Sequence, residues 1–256
     1  MTSPALMDTG LQQRRRVLAG VSSLVGVASA RAIYMPSPSE GLTAVDGAVN
    51  SRVWTHPNTP TGRLSQLGKG TALALNGTSD FLTAPDATDL SFGDGSTDVP
   101  FSVVVLANVT DTAAARGFVA KNNEYAFNLS TTDVLTMSLV DASAAAVPSR
   151  AADVATTRQG TWAVYGGTYS KATGGATAAN DITLYENGAV VASTATNAGA
   201  YVAMEDGASV PTLAALNGGA SSWMPGRLAF VLVAQKNMSA ADHAAITQLL
   251  RSYAGL

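Results

Sequence analysis

From residue 70 onwards, the hydrophobic positions follow the pattern of short β-strands separated by turns. Apolar and β-branched residues run almost without interruption over 101–107, which is typical of a buried strand. Apolar and polar residues alternate over 134–139, which is typical of a strand with one buried and one solvent-exposed face. Asn-Gly pairs at 76–77 and 187–188 predict tight hairpin turns. Many strands at this spacing, without interleaved helices, predict a β-sandwich.

The strand pattern also predicts the core. Further strands are expected over 117–120, 125–129, 162–169, 182–185, 189–192 and 226–233. Most of the central contacts are expected from the side chains of the strongest strands, namely Phe101, Val103, Val105, Trp162, Val164, Leu228 and Phe230.

One amphipathic helix is predicted at the end of the chain. Ser239 is a good N-cap, Asp242 completes a capping-box-like start, and Gly255 marks the stop. The helix is expected to pack on an edge of the sandwich, and His243 in its first turn is interpreted as a surface histidine. The apolar face consists of Ile246, Leu249, Leu250 and Tyr253.

The first 66 residues have a different pattern. Three arginines at 14–16 precede an apolar run, and Ala28-x-Ala30 follows, as in a bacterial export signal. The alternative is a retained helix that docks on a partner subunit. The run is about 14 residues, short of the roughly 20 that a bilayer requires, so no membrane span is expected. The expected docking residues are Arg14, Arg15, Arg16, Leu18, Leu24 and Trp54.

Residues 35–62 are rich in Pro and Gly, which predicts an extended connector along a surface. Trp54 lies within it and is expected to plug a groove on the body or on a neighbouring subunit. The sequence thus predicts an N-terminal arm or anchor over 1–66 and a sandwich over 67–256.

The amino-acid composition excludes several classes of protein and of binding site. The chain has 256 residues, enough for one large domain or for a domain with an arm. It has no Cys and two His, which excludes disulfides and thiolate zinc sites and makes a multi-His metal centre within one chain untenable. The net charge of −3 gives no global field that attracts nucleic acid, and no nucleic-acid motif is present.

Six segments resemble, in the right order, motifs of the concanavalin A-like jelly-roll family, in particular its laminin-G-like branch. Residues 70–82 are similar to that family's G-x-A-L-x-F-D-G-x-x-D-Y-V opening, and 184–188 match L-Y-x-N-G. The other four segments are 100–103, 162–169, 226–229 and 238–242. The resemblance implies an all-β, two-sheet jelly-roll sandwich, to which the patterns above add an extended N-terminal arm and one short C-terminal helix. It also implies a glycan-binding, adhesive or structural module.

The family also contains glycoside hydrolases, which carry E-x-D-x-x-E or E-x-D-x-E on one strand. No such cluster occurs in this sequence, so we expect no enzymatic activity. We expect no cofactor, with calcium as the exception to consider. Calcium prefers oxygen ligands from acidic loops, and residues 80–98 hold five aspartates; the expected ligands are Asp80, Asp94 and Asp98. The alternative is that these aspartates form turns.

Glycan sites combine an aromatic platform with amides and acids. The residues that fit this chemistry in loop-like sequence are Asn122, Asn123, Tyr201 and Trp223.

The sequence therefore predicts a non-enzymatic virion structural protein of a bacteriophage. It would be a capsid decoration, head-fibre or tail component that binds other subunits through its arm, forms a homo-oligomer and contacts host-surface glycans. The alternative is a secreted, extracellular bacterial carbohydrate-binding protein with a cleaved signal. A glycoside hydrolase is the second alternative.

Overall fold

The computed structural model describes residues 4–36, 44–45, 53–57, 64–68, 70–111 and 114–256. The first and the last elements along the chain are α-helices, α1 (Pro4–Val25) and α2 (Ala240–Ala254). The strands of the first half are β1 (Ala30–Tyr34), β2 (Ala44–Val45), β3 (Val53–Trp54), β4 (Leu64–Leu67), β5 (Gly70–Asn76), β6 (Leu82–Thr83), β7 (Phe101–Val109), β8 (Arg116–Lys121) and β9 (Tyr125–Leu129). Those of the second half are β10 (Leu135–Leu139), β11 (Ser149–Ala152), β12 (Trp162–Tyr169), β13 (Ile182–Glu186), β14 (Ala189–Val190), β15 (Ser193–Thr196), β16 (Pro211–Leu213) and β17 (Pro225–Ala234).

The strands form two antiparallel sheets that pack face to face. The eight-stranded sheet has the order β14-β13-β12-β7-β17-β5-β4, with β1 also paired to β17. The seven-stranded sheet has the order β15-β11-β10-β9-β8-β16-β6. The predicted two-sheet β-sandwich with a short C-terminal helix is therefore confirmed.

The core between the sheets is aromatic. Phe118 of one sheet stacks on Tyr165 of the other with ring centroids 4.8 Å apart, and Phe101 stacks on Phe92 at 4.3 Å. Of the predicted core residues, Phe101, Val103, Val105 and Leu228 are buried between the sheets. Val164 and Phe230 are also buried, but they lie on the other face of the eight-stranded sheet, in the cluster that contains the helices. Trp162 is only partly buried, because it lies at the start of β12.

The helices form a third layer on the other face of the eight-stranded sheet. Val17 and Val21 of α1 and Ile246 and Leu250 of α2 are buried in one apolar cluster with residues of β7 and β17. The helices approach closely at Gly20, where an added Cβ would lie 2.8 Å from a methyl carbon of Leu249. Neither helix of the described chain combines the length and the apolar character that a bilayer span needs.

The local signals for α2 are confirmed. Ser239 accepts a hydrogen bond from the Asp242 amide, the reciprocal capping-box bond is present, and Gly255 takes the left-handed conformation at the C-cap. The surface interpretation of His243 is wrong. Its ring is buried, because α2 lies against β12 and β13 and the ring stacks on Tyr185.

The N-terminal segment is built into the chain's own fold. Strand β1 pairs with residues 231–234 of β17, beyond residues 225–228, with which β5 pairs. Trp54 is 1% exposed and lies in the core between the sheets, so the groove that receives it belongs to its own chain. Leu18 and Leu24 are partly buried and pack against the helix-side cluster, and Arg14 is buried. Arg15 and Arg16 are exposed. Contact of this segment with a partner subunit stays a prediction.

Candidate functional site

Several loops meet at one end of the sandwich, around the segment 201–207. The Gly95 amide donates a hydrogen bond of 2.8 Å to the Met204 carbonyl. The Ser143 amide donates a bond of 2.9 Å to Oε1 of Glu205. Segments distant in sequence are thereby held beside one another, as the binding loops of a rigid scaffold often are.

A polar cavity of about 350 Å³, which we call the rim cavity, opens among these loops. This volume is at the small end of the range of ligand pockets, about 300–1,000 Å³. Its lining combines three hydroxyls, a carboxylate, an ammonium, a phenol and one exposed apolar side chain, from Ser96, Thr97, Thr173, Asp98, Lys171, Tyr201 and Val202.

Asp98 forms the floor of the rim cavity and is 3% exposed. Its Oδ2 accepts hydrogen bonds from the hydroxyls of Tyr169 at 2.9 Å and Tyr201 at 2.8 Å. Its Oδ1 accepts one from the Met204 amide at 2.8 Å. Burial raises the pKa of Asp98 above its ordinary value, although these hydrogen bonds act in the opposite direction. Both carboxylate oxygens are therefore committed to holding the floor in place.

Asp181 holds one wall of the cavity in a fixed shape. It accepts hydrogen bonds of 2.7 Å from the amides of Thr173 and Gly174. Lys171 has a φ of 54°, in the left-handed region that non-glycine residues seldom occupy. Such backbone persists where its surroundings enforce it, and it is concentrated at ligand clamps. The wall is thus preformed before any ligand arrives.

A buried lysine braces the same end of the sandwich. The ammonium of Lys121, 0% exposed, lies 3.0 Å from Oδ1 of Asp86 and donates to the Gly207 carbonyl at 2.9 Å. It also contacts Glu124, and burial raises the pKa of that carboxyl to about 7 against the opposing effect of Lys121. The sequence pattern gives no signal for this cluster, because its members come from the end of β8 and from segments that are distant in the chain.

The structure separates the four residues expected to bind glycan. Tyr201 lines the rim cavity, but its ring is only 2% exposed, so it is no open stacking platform. It is buried because its hydroxyl is held by Asp98. Asn122 and Asn123 lie in the turn between β8 and β9, outside the rim cavity. Trp223 also lies outside it, with Nε1 donating a bond of 3.0 Å to the Gly219 carbonyl.

The three expected calcium ligands have separate partners. Oδ2 of Asp80 accepts from the Asn76 amide at 2.8 Å, and Asp98 is engaged as described above. The Ser96 side chain is the chief cause of the lowered pKa of Asp94, which caps its own turn. Within the described ranges, no group of three or more His, Cys, Asp or Glu side chains could hold a metal ion. Calcium binding stays a prediction.

No protein-family model matches the sequence, and no curated protein matches it at a significant level. Solved structures do match in fold. The binding domain of Paraclostridial Mosquitocidal Protein 1 has a TM-score of 0.64 at 12% identity, over 86% of this chain and 52% of that chain. The Botulinum neurotoxin serotype D binding domain has a TM-score of 0.61 at 11% identity, over 89% and 52%. The Ruminococcus gnavus IT-sialidase CBM40, bound to α2,3 sialyllactose, has a TM-score of 0.47 at 13% identity, over 60% and 84%.

This chain spans about half the length of the mosquitocidal and serotype D binding domains, and the likeness to them is one of fold.

Proposed function

We propose that this protein is a non-catalytic binding module whose rim cavity takes one sugar residue of a glycan. The observation that carries the proposal is the preformed polar cavity at the end of the sandwich, with hydroxyls and an ammonium around a fixed floor. A sugar offers many hydroxyls and a few apolar C–H faces. A site for it needs fixed donors and acceptors together with some apolar contact.

The side chains of the rim cavity meet these needs in a specific way. Lys171 supplies N–H donors, and the hydroxyls of Thr97 and Thr173 can both donate and accept. Val202 is 55% exposed and offers an apolar surface at the mouth. Because Asp98 and Asp181 already hold the floor and the wall, the ligand meets a site that needs little rearrangement, which lowers the cost of binding.

The same hydrogen bonds argue against catalysis. A glycoside hydrolase needs one carboxyl group as acid and a second as base or nucleophile. The two carboxylates beside the rim cavity, Asp98 and Asp181, each have both oxygens occupied by protein donors. Their chemistry is that of structural acceptors. Neighbours in fold are named as binding domains, one of them as a receptor binding domain, which supports the proposal by analogy alone.

The test is glycan binding by the full chain, first on a glycan array and then by calorimetry with the best ligand. Lys171→Ala and Val202→Asp are expected to weaken binding at least about tenfold, since each removes a contact at the mouth of the cavity. Arg227→Ala is the matched control, because it removes one exposed positive charge outside the cavity. Unchanged affinity in both cavity variants, or no ligand on the array, would refute the proposal.

More specifically, we propose that the protein has a structural role in a virion, as one of several copies. The alternative is a secreted carbohydrate-binding protein. A retained N-terminal segment is supported by the packing of α1, which covers the apolar surface of α2. Cleavage after Ala30 would cut at the first residue of β1 and uncover that surface. Mass spectrometry of the natural protein decides between them: a start near Arg31 supports secretion, and co-purification of the full chain with a particle supports the virion role.

A further inference from the structure

A second cavity, which we call the edge cavity, opens where the two sheets meet at one side of the sandwich. It has a volume of about 530 Å³. One wall comes from the segment that carries β13 and β14, and the other comes from β11 and β15. The residues that matter for its chemistry are Arg150, Asp153, Asn180, Ile182, Val190 and Ser193.

Arg150 places a fixed positive charge in the edge cavity. Its Nε donates to Oγ of Ser193 at 2.7 Å, and its Nη2 donates to the Ser193 carbonyl at 2.9 Å. No carboxylate of the described chain lies within 4.0 Å of this guanidinium. By contrast, Arg116 pairs with Asp111, and Arg158 pairs with Glu186. The side chain of Arg150 is therefore oriented by neutral acceptors, and its remaining N–H groups are available to an anion.

In two further polar side chains of the edge cavity, only one of the two polar atoms is hydrogen-bonded within the protein. Oδ1 of Asp153 accepts from the Thr194 hydroxyl at 2.7 Å, and Oδ1 of Asn180 accepts from the Asn197 amide at 3.1 Å. Oδ2 of Asp153 and Nδ2 of Asn180 have no partner within the part of the chain that the structure describes. They offer one acceptor and one donor to hydroxyl groups of a ligand.

The edge cavity also has an apolar part of its lining. Ile182 is 1% exposed and forms part of the inner wall, whereas Val190 is 59% exposed at the mouth. An apolar side chain so open to water gains stability when a C–H face of a ligand covers it.

From these features we infer that the edge cavity is a second binding site, which takes a small sugar acid. The carboxylate would lie on the guanidinium of Arg150, which matches a carboxylate in two parallel hydrogen bonds. Ligand hydroxyls would meet Asp153 and Asn180, and the apolar face of the ring would cover Val190. This site is separate from the rim cavity, and it stands or falls independently of the function proposed there.

The inference is tested by calorimetry on the full chain with three probes of one size class: glucuronate, glucose and glucose 6-phosphate. Glucuronate is expected to bind saturably and at least about tenfold more tightly than glucose, because a charge-assisted hydrogen bond is stronger than a neutral one. Its affinity is expected to fall as salt is added, since salt screens the contact.

Arg150→Gln is expected to weaken glucuronate binding at least about tenfold, because it removes the charge. Arg227→Gln is the control with the same charge change outside the cavity, and it should bind like the wild type. If Arg150→Gln loses its cooperative melting transition, Asn180→Ala replaces it and is expected to weaken binding without changing the salt dependence. Lys171→Ala tests the rim cavity and should leave glucuronate binding unchanged.

Three results would overturn the inference. They are the absence of saturable glucuronate binding, equal affinity for glucose, and equal affinity in Arg150→Gln and Arg227→Gln. Tighter binding of glucose 6-phosphate would overturn the choice of a carboxylate. Loss of glucuronate binding in Lys171→Ala would place the ligand in the rim cavity instead.

Discussion

The buried histidine of α2 makes a specific prediction about acid stability. His243 is 2% exposed, its Nε2 lies 2.9 Å from Oγ1 of Thr168, and its ring stacks on Tyr185 with centroids 3.8 Å apart. Burial lowers the pKa of His243 from 6.5 to about 4, although Asp242 acts in the opposite direction. The start of a helix also disfavours a positive charge. The folded protein therefore holds this ring neutral at a pH where the unfolded chain protonates it.

The sign and size of the effect follow from this difference in pKa. Because the folded pKa lies below the unfolded one, the unfolded chain binds more protons between pH 6.5 and about 4. The contribution of His243 is fully present above pH 6.5 and is lost as the pH falls through this window. At 1.36 kcal/mol per pKa unit, the loss is about 3 kcal/mol. Glu124 has the opposite sign, because its folded pKa is raised to about 7 and its contribution is lost as the pH rises.

Since the two groups oppose each other in the wild type, variants are needed to separate them. Urea unfolding is measured at pH 7, 6, 5 and 4 for the wild type and for His243→Gln, which keeps a polar side chain and cannot titrate. From pH 7 to pH 4, the wild type is expected to lose about 3 kcal/mol of unfolding free energy that His243→Gln does not lose. Glu124→Gln is the matched variant, and its stability should fall with acid more steeply than that of the wild type. Parallel curves for the wild type and His243→Gln would refute the reasoning.

Three further predictions concern the core, the N-terminal helix and calcium. Phe101→Ala removes a ring from the aromatic core and should lower the unfolding free energy by about 3–5 kcal/mol in urea, whereas Trp162→Ala, at a partly exposed site, should cost less; equal losses would contradict the assigned burial. Val21→Asp should cost more than about 3 kcal/mol because it buries a carboxylate between α1 and α2, while Val27→Asp, at a position 57% exposed, should stay within about 0.5 kcal/mol. A cooperative melt of Val21→Asp at the wild-type temperature would show that α1 is not part of the core. If calcium binds at Asp80, Asp94 and Asp98, a chelator should lower the melting temperature and added calcium should restore it, whereas no shift with either reagent would refute the metal site.

The elements that depend on local chemistry could be predicted from the sequence. The period of apolar residues indicates strands, because side chains alternate between the two faces of a sheet. The Asn-Gly turn at 187–188 has positive φ at both positions, as a tight hairpin requires. The capping box of Ser239 and the stop at Gly255 place α2 within a residue of its observed bounds. These signals come from residues that are neighbours in the chain.

The partners of each surface were decided only by the tertiary structure. The apolar run after residue 16 indicates that something covers it, but the covering surface is α2, more than 200 positions away in the chain. His243 has the sequence context of a surface residue, and it is buried because α2 lies on β12 and β13. Tyr201 could have been an open platform, and the carboxylate of Asp98 holds it inside.

Both cavities likewise consist of residues from separate segments of the chain, and their charges and hydroxyls meet only after the sheets have packed. Periodicity and capping are properties of a short segment, so the sequence by itself determined the class of fold and the α2 helix. Burial and hydrogen-bond pairing between distant segments depend on which faces meet, and that is settled only when the whole chain has folded.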